Sequence, residues 1–202
     1  MIELPDFSEL TFEEKAHRYL LNGFEIPSVT TIMRPLSDAH YKTVDDDVLK
    51  KAASRGTSVH EAVENYLLFG IEDIQPELRG YFDGFKKWIA DYNPVPIKTE
   101  CRIYHKTLSY AGTADLPCYI GEQPTLVDYK TTATVAKVLT RVQLEAYKKA
   151  FESHGFKFTR KLIVQAKRDG TYKVVEHEVN DVESWKVFTE LLDVYRFVKK
   201  YK

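Results

Sequence analysis

The chain has 202 residues, a formal net charge of −1, 44% hydrophobic residues and 29% charged residues. This composition is typical of a globular domain and excludes a disordered chain. No uncharged segment approaches the roughly 20 residues of a membrane span, and the N-terminal sequence MIELPDF lacks the regions of a signal peptide. The two cysteines, Cys101 and Cys118, are too few for a disulfide framework, so we expect free thiols and a cytoplasmic protein.

The N-terminal third is predicted to form a hairpin followed by helices. Asn22-Gly23 is a strong turn signal within residues 17–26. Ser28 is expected to cap a short helix that Pro35 ends. Apolar spacings of three and four predict two longer helices, at about 44–69 and 76–92. The first of these helices could run through Gly56, be interrupted there, or give way there to a new helix.

The rest of the chain alternates between strands and helices. Strands are predicted at about 97–105, 109–119, 124–131, 160–168 and 171–179, and helices at about 134–153 and 181–200. This order indicates an α/β (α+β) fold with a mixed sheet flanked by helices. We expect one domain over residues 1–202, in which residues 1–93 form the hairpin and a helical cover and residues 94–202 form the sheet core.

Two aspartates are expected to face each other across a hairpin. With a turn at Gly121-Glu122, Asp115 lies opposite Asp128, and opposed like charges are destabilising. Lys130 shares a strand face with Asp128 because side chains alternate along a strand. A divalent cation between the acids would relieve the repulsion, and hard oxygen ligands suit Mg²⁺ or Mn²⁺. The alternative is a surface hairpin with solvated acids.

Glu100 is a further candidate. If the preceding turn lies at Thr107-Leu108, Glu100 falls opposite Asp115. A slip of one residue would turn its side chain to the other face. It is therefore either close to the metal or a solvent-exposed acid.

Several helical residues could support such a site. His60 is a candidate metal ligand, with a structural histidine as the alternative. Gln143 and Tyr147 share a helix face and either approach the acids or pack on the sheet. Lys137, Arg141 and Lys148 form a basic stripe that could follow a DNA backbone, or they are simply exposed.

In combination, these residues resemble the PD-(D/E)XK nuclease superfamily, especially its RecB-like and phage-type exonucleases. The segments that carry the resemblance, in order, are IPSVTTI (26–32), RGTSVHEAVE (55–64), TECRI (99–103), YAGTADL (110–116), LVDYKTT (126–132) and QLEAY (143–147). The chain departs from the family pattern in having Ala114 where the proline of the family name would stand. The resemblance implies a restriction-endonuclease-like sheet with an N-terminal helical arch over the cleft.

The resemblance also implies roles for individual residues. His60, Asp115, Asp128 and the carbonyl of Tyr129 would bind metal, and Lys130 would be the catalytic lysine. The residues expected to support the site or contact nucleic acid are Gln143, Tyr147, Lys137, Arg141, Ser28, Thr30 and Thr31.

We therefore expect a Mg²⁺- or Mn²⁺-dependent exonuclease that acts on DNA ends, in recombination, repair or phage DNA processing. One alternative is a nuclease fold that binds nucleic acid without cutting it. Another is a structure- or sequence-specific endonuclease on the same core. A small-molecule hydrolase is disfavoured because G-x-S-x-G, P-loop and H-E-x-x-H motifs are absent.

Overall fold

The structure is a computed structural model that describes Leu4 and residues 7–201. Most of the N-terminal segment in which we expect no signal peptide lies outside the described residues, so that expectation is not tested by the structure. Within the described part of the chain, no helix combines the length and apolar character needed to cross a bilayer.

In the part of the chain that the structure describes, the strands form one central sheet and two small ones. They are β1 (Leu10–Glu13), β2 (Arg18–Leu21), β3 (Phe24–Ile26), β4 (Val95–Pro96), β5 (Cys101–Tyr104), β6 (Ala111–Ala114), β7 (Leu116–Ile120), β8 (Gln123–Lys130), β9 (Arg160–Ala166) and β10 (Tyr172–His177). The central sheet has the order β10-β9-β8-β7-β4, whereas β1-β2-β3 and β5-β6 are separate. Strands β8 and β9 are parallel and the other neighbours in the central sheet are antiparallel.

Helices cover both faces of the central sheet. They are α1 (Val29–Ile32), α2 (Arg34–His40), α3 (Asp46–Phe69), α4 (Arg79–Tyr92), α5 (Lys137–Ser153) and α6 (Val182–Lys200). Because side chains alternate along β8, Val127 packs in a core with Phe85 of α4, whereas Leu126 packs in a second core with Val142 of α5. The expected mixed fold is confirmed, and it is consistent with a restriction-endonuclease-like α+β architecture.

The hairpin registers agree with those predicted from the turns. Leu116 pairs with Val127 across the Gly121-Glu122 turn, and Cys101 pairs with Ala114 across the preceding connection. The turn at Asn22-Gly23 is also confirmed, since it joins β2 to β3. Both cysteines are free and buried, as expected.

The helix predicted at about 44–69 is confirmed as α3, which Gly56 does not interrupt and which ends at Gly70 in the left-handed conformation. Two elements were not predicted. The short helix α1 ends before Pro35 as expected, but α2 follows it with Pro35 in its first turn, where the missing N–H of proline has no partner to lose. Strand β1 was not predicted at all, since its four residues carry too short an alternation to be recognised.

The start of α6 is bound to α5 through Asp181. Its carboxylate accepts hydrogen bonds from Ser184 N at 3.0 Å and from Arg141 Nε and Nη2 at 2.7 and 2.8 Å. Burial raises the pKa of Asp181, but the bonds from Arg141 and Ser184 outweigh it and hold that pKa well below its usual range. The pair therefore caps α6 and fixes it against α5.

We predict that Asp181→Asn lowers the free energy of unfolding by about 1.5–3 kcal/mol near pH 7, the usual range for hydrogen bonds to a charged group. A lowered folded-state pKa stabilises above the unfolded-state pKa, so the difference between wild type and variant should shrink as the pH falls below about 4. Urea denaturation at several pH values measures it. Asp193→Asn, at an exposed residue, is the matched control and should change stability by less than about 0.5 kcal/mol. A difference from wild type that does not depend on pH would contradict this account of Asp181.

Candidate metal centre and its cleft

Asp115 lies at a break between two strands that the sequence predicts as one. Strand β6 pairs with β5, whereas β7 pairs with β8, so the chain passes from one sheet to another at this residue. Asp115 Oδ2 accepts a hydrogen bond of 2.6 Å from the backbone N–H of Tyr129. Its backbone carbonyl accepts one of 2.9 Å from Glu100 N. Asp115 is thus held by β8 on one side and by Glu100 on the other.

An irregular segment presents Glu100 beside Asp115. The predicted strand 97–105 is interrupted, because Ile97 N and Lys98 N both donate to the carbonyl of Pro117, at 2.9 and 3.4 Å, as in a β-bulge. Glu100 has φ of 42°, in the left-handed region that costs a non-glycine residue about 1–2 kcal/mol. This strained conformation occurs where the chain turns from β4 into β5. It places the carboxylate of Glu100 near Asp115.

His60 on α3 completes the cluster. Its Nδ1 lies 3.6 Å from Glu100 Oε1 and 3.7 Å from Asp115 Oδ2. Its Nε2 lies 3.2 Å from the carbonyl oxygen of Tyr129. A hydrogen bond from Nε2–H to this carbonyl fixes the ring and directs Nδ1 at the two acids. One potential ligand atom from each of the three residues lies within 4.8 Å of the other two.

The electrostatics of the cluster favour a cation. Burial lowers the pKa of His60, but the carboxylates of Asp115 and Glu100 outweigh it and raise that pKa to about 9. Burial raises the pKa of Asp115, and the positive charges of His60 and Lys130 act against that rise. Positive charge beside the acids thus comes from the proton of His60 and from the ammonium group of Lys130. An imidazole nitrogen with two carboxylates is a donor set that fits a divalent cation, which would replace that proton.

The buried Asp128 forms an ion pair with the partly buried Lys130 next to this cluster. Lys130 Nζ lies 2.5 Å from Asp128 Oδ2. Burial raises the pKa of Asp128 to about 6, with Lys130 acting in the opposite direction. We expected Asp128 to share a cation with Asp115, but Asp128 has no atom in the group of three ligand atoms within 4.8 Å. The Leu116–Val127 register puts Asp115 and Asp128 at neighbouring positions of the hairpin. The carbonyl oxygen of Tyr129 lies 3.2 Å from His60 Nε2, and the roles of Asp128 and of this carbonyl in metal binding stay predictions.

The cluster opens into a cleft of about 590 Å³ between α3 and the β1–β2 strands. Seven residues that line the cleft were not among the predicted site residues, namely Phe12, Glu14, His17, Tyr19, Thr57, Arg102 and Thr113. Tyr19 of β2 and Thr113 of β6 share a 2.8 Å hydrogen bond between their hydroxyls, which joins β2 to β6. Phe12 was missed because it lies in β1, which was not recognised; the exposed polar face of the segment with Arg102 was the one available signal.

Two residues of helix α5, Tyr147 and Gln143, lie beside Asp115 and Asp128. Gln143 Nε2 donates to Tyr147 Oη at 3.4 Å, and Tyr147 is buried. Burial raises the pKa of the Tyr147 hydroxyl well above its usual value, and the nearby charges of Asp128 and Asp115 add to the effect. A Cβ atom on Gly112 would lie 2.5 Å from the Tyr147 ring, so only glycine lets the ring reach this position.

The predicted basic stripe on α5 is not continuous. Lys137 is exposed at the start of the helix, but the guanidinium of Arg141 is bound by Asp181 and Glu183. Lys148 is buried and pairs with Glu145, which also pairs with the buried Lys161. The stripe prediction is wrong for Lys148, because burial beside an acid removes it from the surface.

The segment 26–32, which contains Ser28, Thr30 and Thr31, lies near β6. Ser28 caps α1 by accepting a 3.0 Å hydrogen bond from Thr31 N, as predicted. Ser28 also forms a bridge with Ala111. Thr30 and Thr31 are exposed, and their contact with nucleic acid stays a prediction.

No family model matches the chain, and no curated protein matches it. Similar solved structures include LHK-Exo in complex with dAMP, with 15% identity, a TM-score of 0.39 and coverage of 87% of this chain and 92% of that one. A structure of the alkaline exonuclease LHK-Exo from Laribacter hongkongensis has 14% identity, a TM-score of 0.33 and coverage of 75% and 96%. SSO0001 has 12% identity, a TM-score of 0.36 and coverage of 83% and 84%. These TM-scores and identities are too low to support a functional argument, which therefore depends on the residues and motifs of this chain.

We predict that Gly112→Ala destabilises the protein by about 1–3 kcal/mol, because the added methyl group overlaps the Tyr147 ring. The loss should be smaller in a Tyr147→Leu background, where no ring occupies this space. Gly56→Ala is the control: its Cβ would meet no atom within 4 Å, and alanine in a helix should add up to about 1 kcal/mol. Urea denaturation of the four proteins and wild type measures these changes. Equal effects of Gly112→Ala with and without Tyr147 would contradict the contact.

Proposed function

We propose that this protein is a metal-dependent nuclease that hydrolyses DNA phosphodiester bonds. The observation that carries the proposal is the convergence of His60, Glu100 and Asp115 beside the Asp128–Lys130 ion pair, with His60 and Glu100 lining an open cleft. The finer parts of the proposal are a preference for Mg²⁺ or Mn²⁺, attack from DNA ends, and a role in recombination, repair or phage DNA processing. The ordered motifs of the sequence support these parts.

Each side chain has a role in this proposal. His60, Glu100 and Asp115 would hold a divalent cation, whose chemistry is to polarise a phosphoryl oxygen and to make a water molecule more acidic. Asp128 holds the ammonium group of Lys130 beside the site. Lys130 would orient the attacking water and balance the negative charge that develops on the phosphate. In this proposal residues 1–93 supply the cover that carries His60, and residues 94–202 supply the acids and the lysine.

We predict that Asp115→Asn abolishes metal binding and cleavage together. Removing one carboxylate should weaken Mn²⁺ binding by more than about 100-fold, because even the outer partners of metal ligands contribute about 10–100-fold. Cleavage of end-labelled DNA should fall by several orders of magnitude, as it should with EDTA. Calorimetric titration with Mn²⁺ and a gel assay of the labelled DNA measure the two effects.

Asp38→Asn is the matched control for this prediction, since Asp38 is exposed and lies on α2. It should leave both metal binding and cleavage unchanged. Cleavage by Asp115→Asn at the wild-type rate in Mg²⁺ would refute the proposed function. If the wild type binds DNA but cuts no single-stranded, duplex or circular substrate with Mg²⁺ or Mn²⁺, the protein is a binding module.

We predict a different result for Lys130→Gln. This change removes the positive charge but keeps a polar group beside Asp128. Mn²⁺ affinity should stay within about threefold of wild type, while the cleavage rate should fall by about 100-fold or more, as when a charge-stabilising donor is lost. Parallel loss of Mn²⁺ binding and cleavage would show that Lys130 acts only by holding Asp128 in place.

A further inference from the structure

We infer that a groove lined by Lys137, Lys167 and Lys173 binds the phosphate backbone of the DNA strand several nucleotides away from the bond that is cut. This lysine groove has a volume of about 250 Å³ and also contains Gln165. The inference rests on the proposed function, because the position of the groove next to the candidate site indicates that its ligand is DNA.

The strand register places the lysine groove on the same sheet face as Lys130. Lys130 pairs with Gln165 of β9, and Gln165 pairs with Lys173 of β10. Residues paired across a sheet project from the same face, and Lys167 follows Gln165 by two residues on that face. Neighbouring strands are about 4.8 Å apart, so Lys173 lies roughly 10 Å across the sheet from Lys130. About three nucleotides of one B-form strand occupy this length, at about 3.4 Å per nucleotide.

The wall between Lys130 and the lysine groove is held in place. Gln165 is buried, and its amide donates hydrogen bonds of 2.7 and 2.9 Å to the carbonyls of Thr132 and Ala133. These bonds fix the segment that connects β8 to α5 and brings Lys137 to the groove. The lysines therefore lie around a defined surface, at the end of the strand that carries Asp128 and Lys130.

The charges of the lysine groove are available to a polyanion. Lys137, Lys167 and Lys173 are exposed. Within the described residues, no ion pair involves any of the three, in contrast to Arg141 and Lys148 of the neighbouring helix. The nearest acid in sequence, Asp169, is bound by Thr171 N and Oγ1, and the charge of Lys167 contributes to the lowered pKa of Asp169 without an ion pair between the two. Three lysines that form no ion pair in one groove match a row of phosphates.

The opposite side of the candidate site has the opposite charge. Glu14, Glu61 and Glu64 line the cleft beyond His60 together with Glu100, and Arg102 is the one arginine or lysine among its lining residues. A DNA backbone that reaches the candidate metal centre would be repelled from that wall. The charge difference between the two sides directs the strand across the lysine groove.

The test is the salt dependence of DNA binding in EDTA, where no cleavage occurs. Fluorescence anisotropy with labelled single-stranded and duplex DNA is measured from 50 to 300 mM NaCl for wild type, Lys167→Gln/Lys173→Gln and Lys199→Gln/Lys200→Gln. The last variant removes the same charge from exposed residues at the end of α6. Each lost phosphate contact lowers the slope of log K against log[salt] by about 0.7–0.9. The groove variant should lose about 1.5 in slope and at least tenfold in affinity at 100 mM NaCl, and the α6 variant less than threefold in affinity.

A Lys167→Arg/Lys173→Arg variant keeps the charge and should retain the wild-type slope, which guards against a folding defect in the glutamine variant. Equal losses in the groove and α6 variants, or a wild-type slope in the glutamine variant, would overturn the inference. The two proposals fail separately. A wild type that binds DNA through the lysine groove but never cuts it would refute the nuclease function alone. A wild type that cuts DNA while the groove variant binds normally would refute the groove alone.

Discussion

The candidate site depends on the 2.6 Å hydrogen bond from Tyr129 N–H to the carboxylate of Asp115. This contact joins the loop between β6 and β7 to the central strand β8 at the point where two sheets separate. The backbone carbonyl of Tyr129 in turn fixes the ring of His60, and the backbone carbonyl of Asp115 fixes Glu100. Backbone groups thus set the positions of all three potential ligands, and a backbone is far less mobile than a surface side chain.

Burial makes these positions costly unless the charges are compensated. Asp115 and Asp128 are both less than a tenth exposed, and burial raises the pKa of each. Lys130 compensates Asp128, and protonated His60 compensates Asp115 together with Glu100. The protein therefore holds a network of opposite charges beside an open cleft, which is a common property of functional sites.

Much of this arrangement could be predicted from sequence because turns fix register. The Gly121-Glu122 turn sets Asp115 against Asp128, and the register of β5 with β6 sets Glu100 against Asp115. The left-handed conformation of Glu100 and the break at Asp115 could not be predicted, since both depend on how two sheets meet. The burial of Lys148 was missed because helical periodicity does not report an acid such as Glu145 in the core. The roles of the site residues in metal and DNA binding stay predictions.

The position of His60 in the sequence affects the order in which the candidate site forms during folding. Asp115, Asp128 and Glu100 come together through hairpins between neighbouring segments, whereas His60 is distant in sequence and arrives with α3. Local pairings generally form before long-range ones during folding, so the acids would meet before their imidazole partner docks. Local opening of α3 would then dismantle the candidate metal centre while the β7–β8 hairpin persisted, and hydrogen exchange in α3 would report the lifetime of the assembled residue cluster.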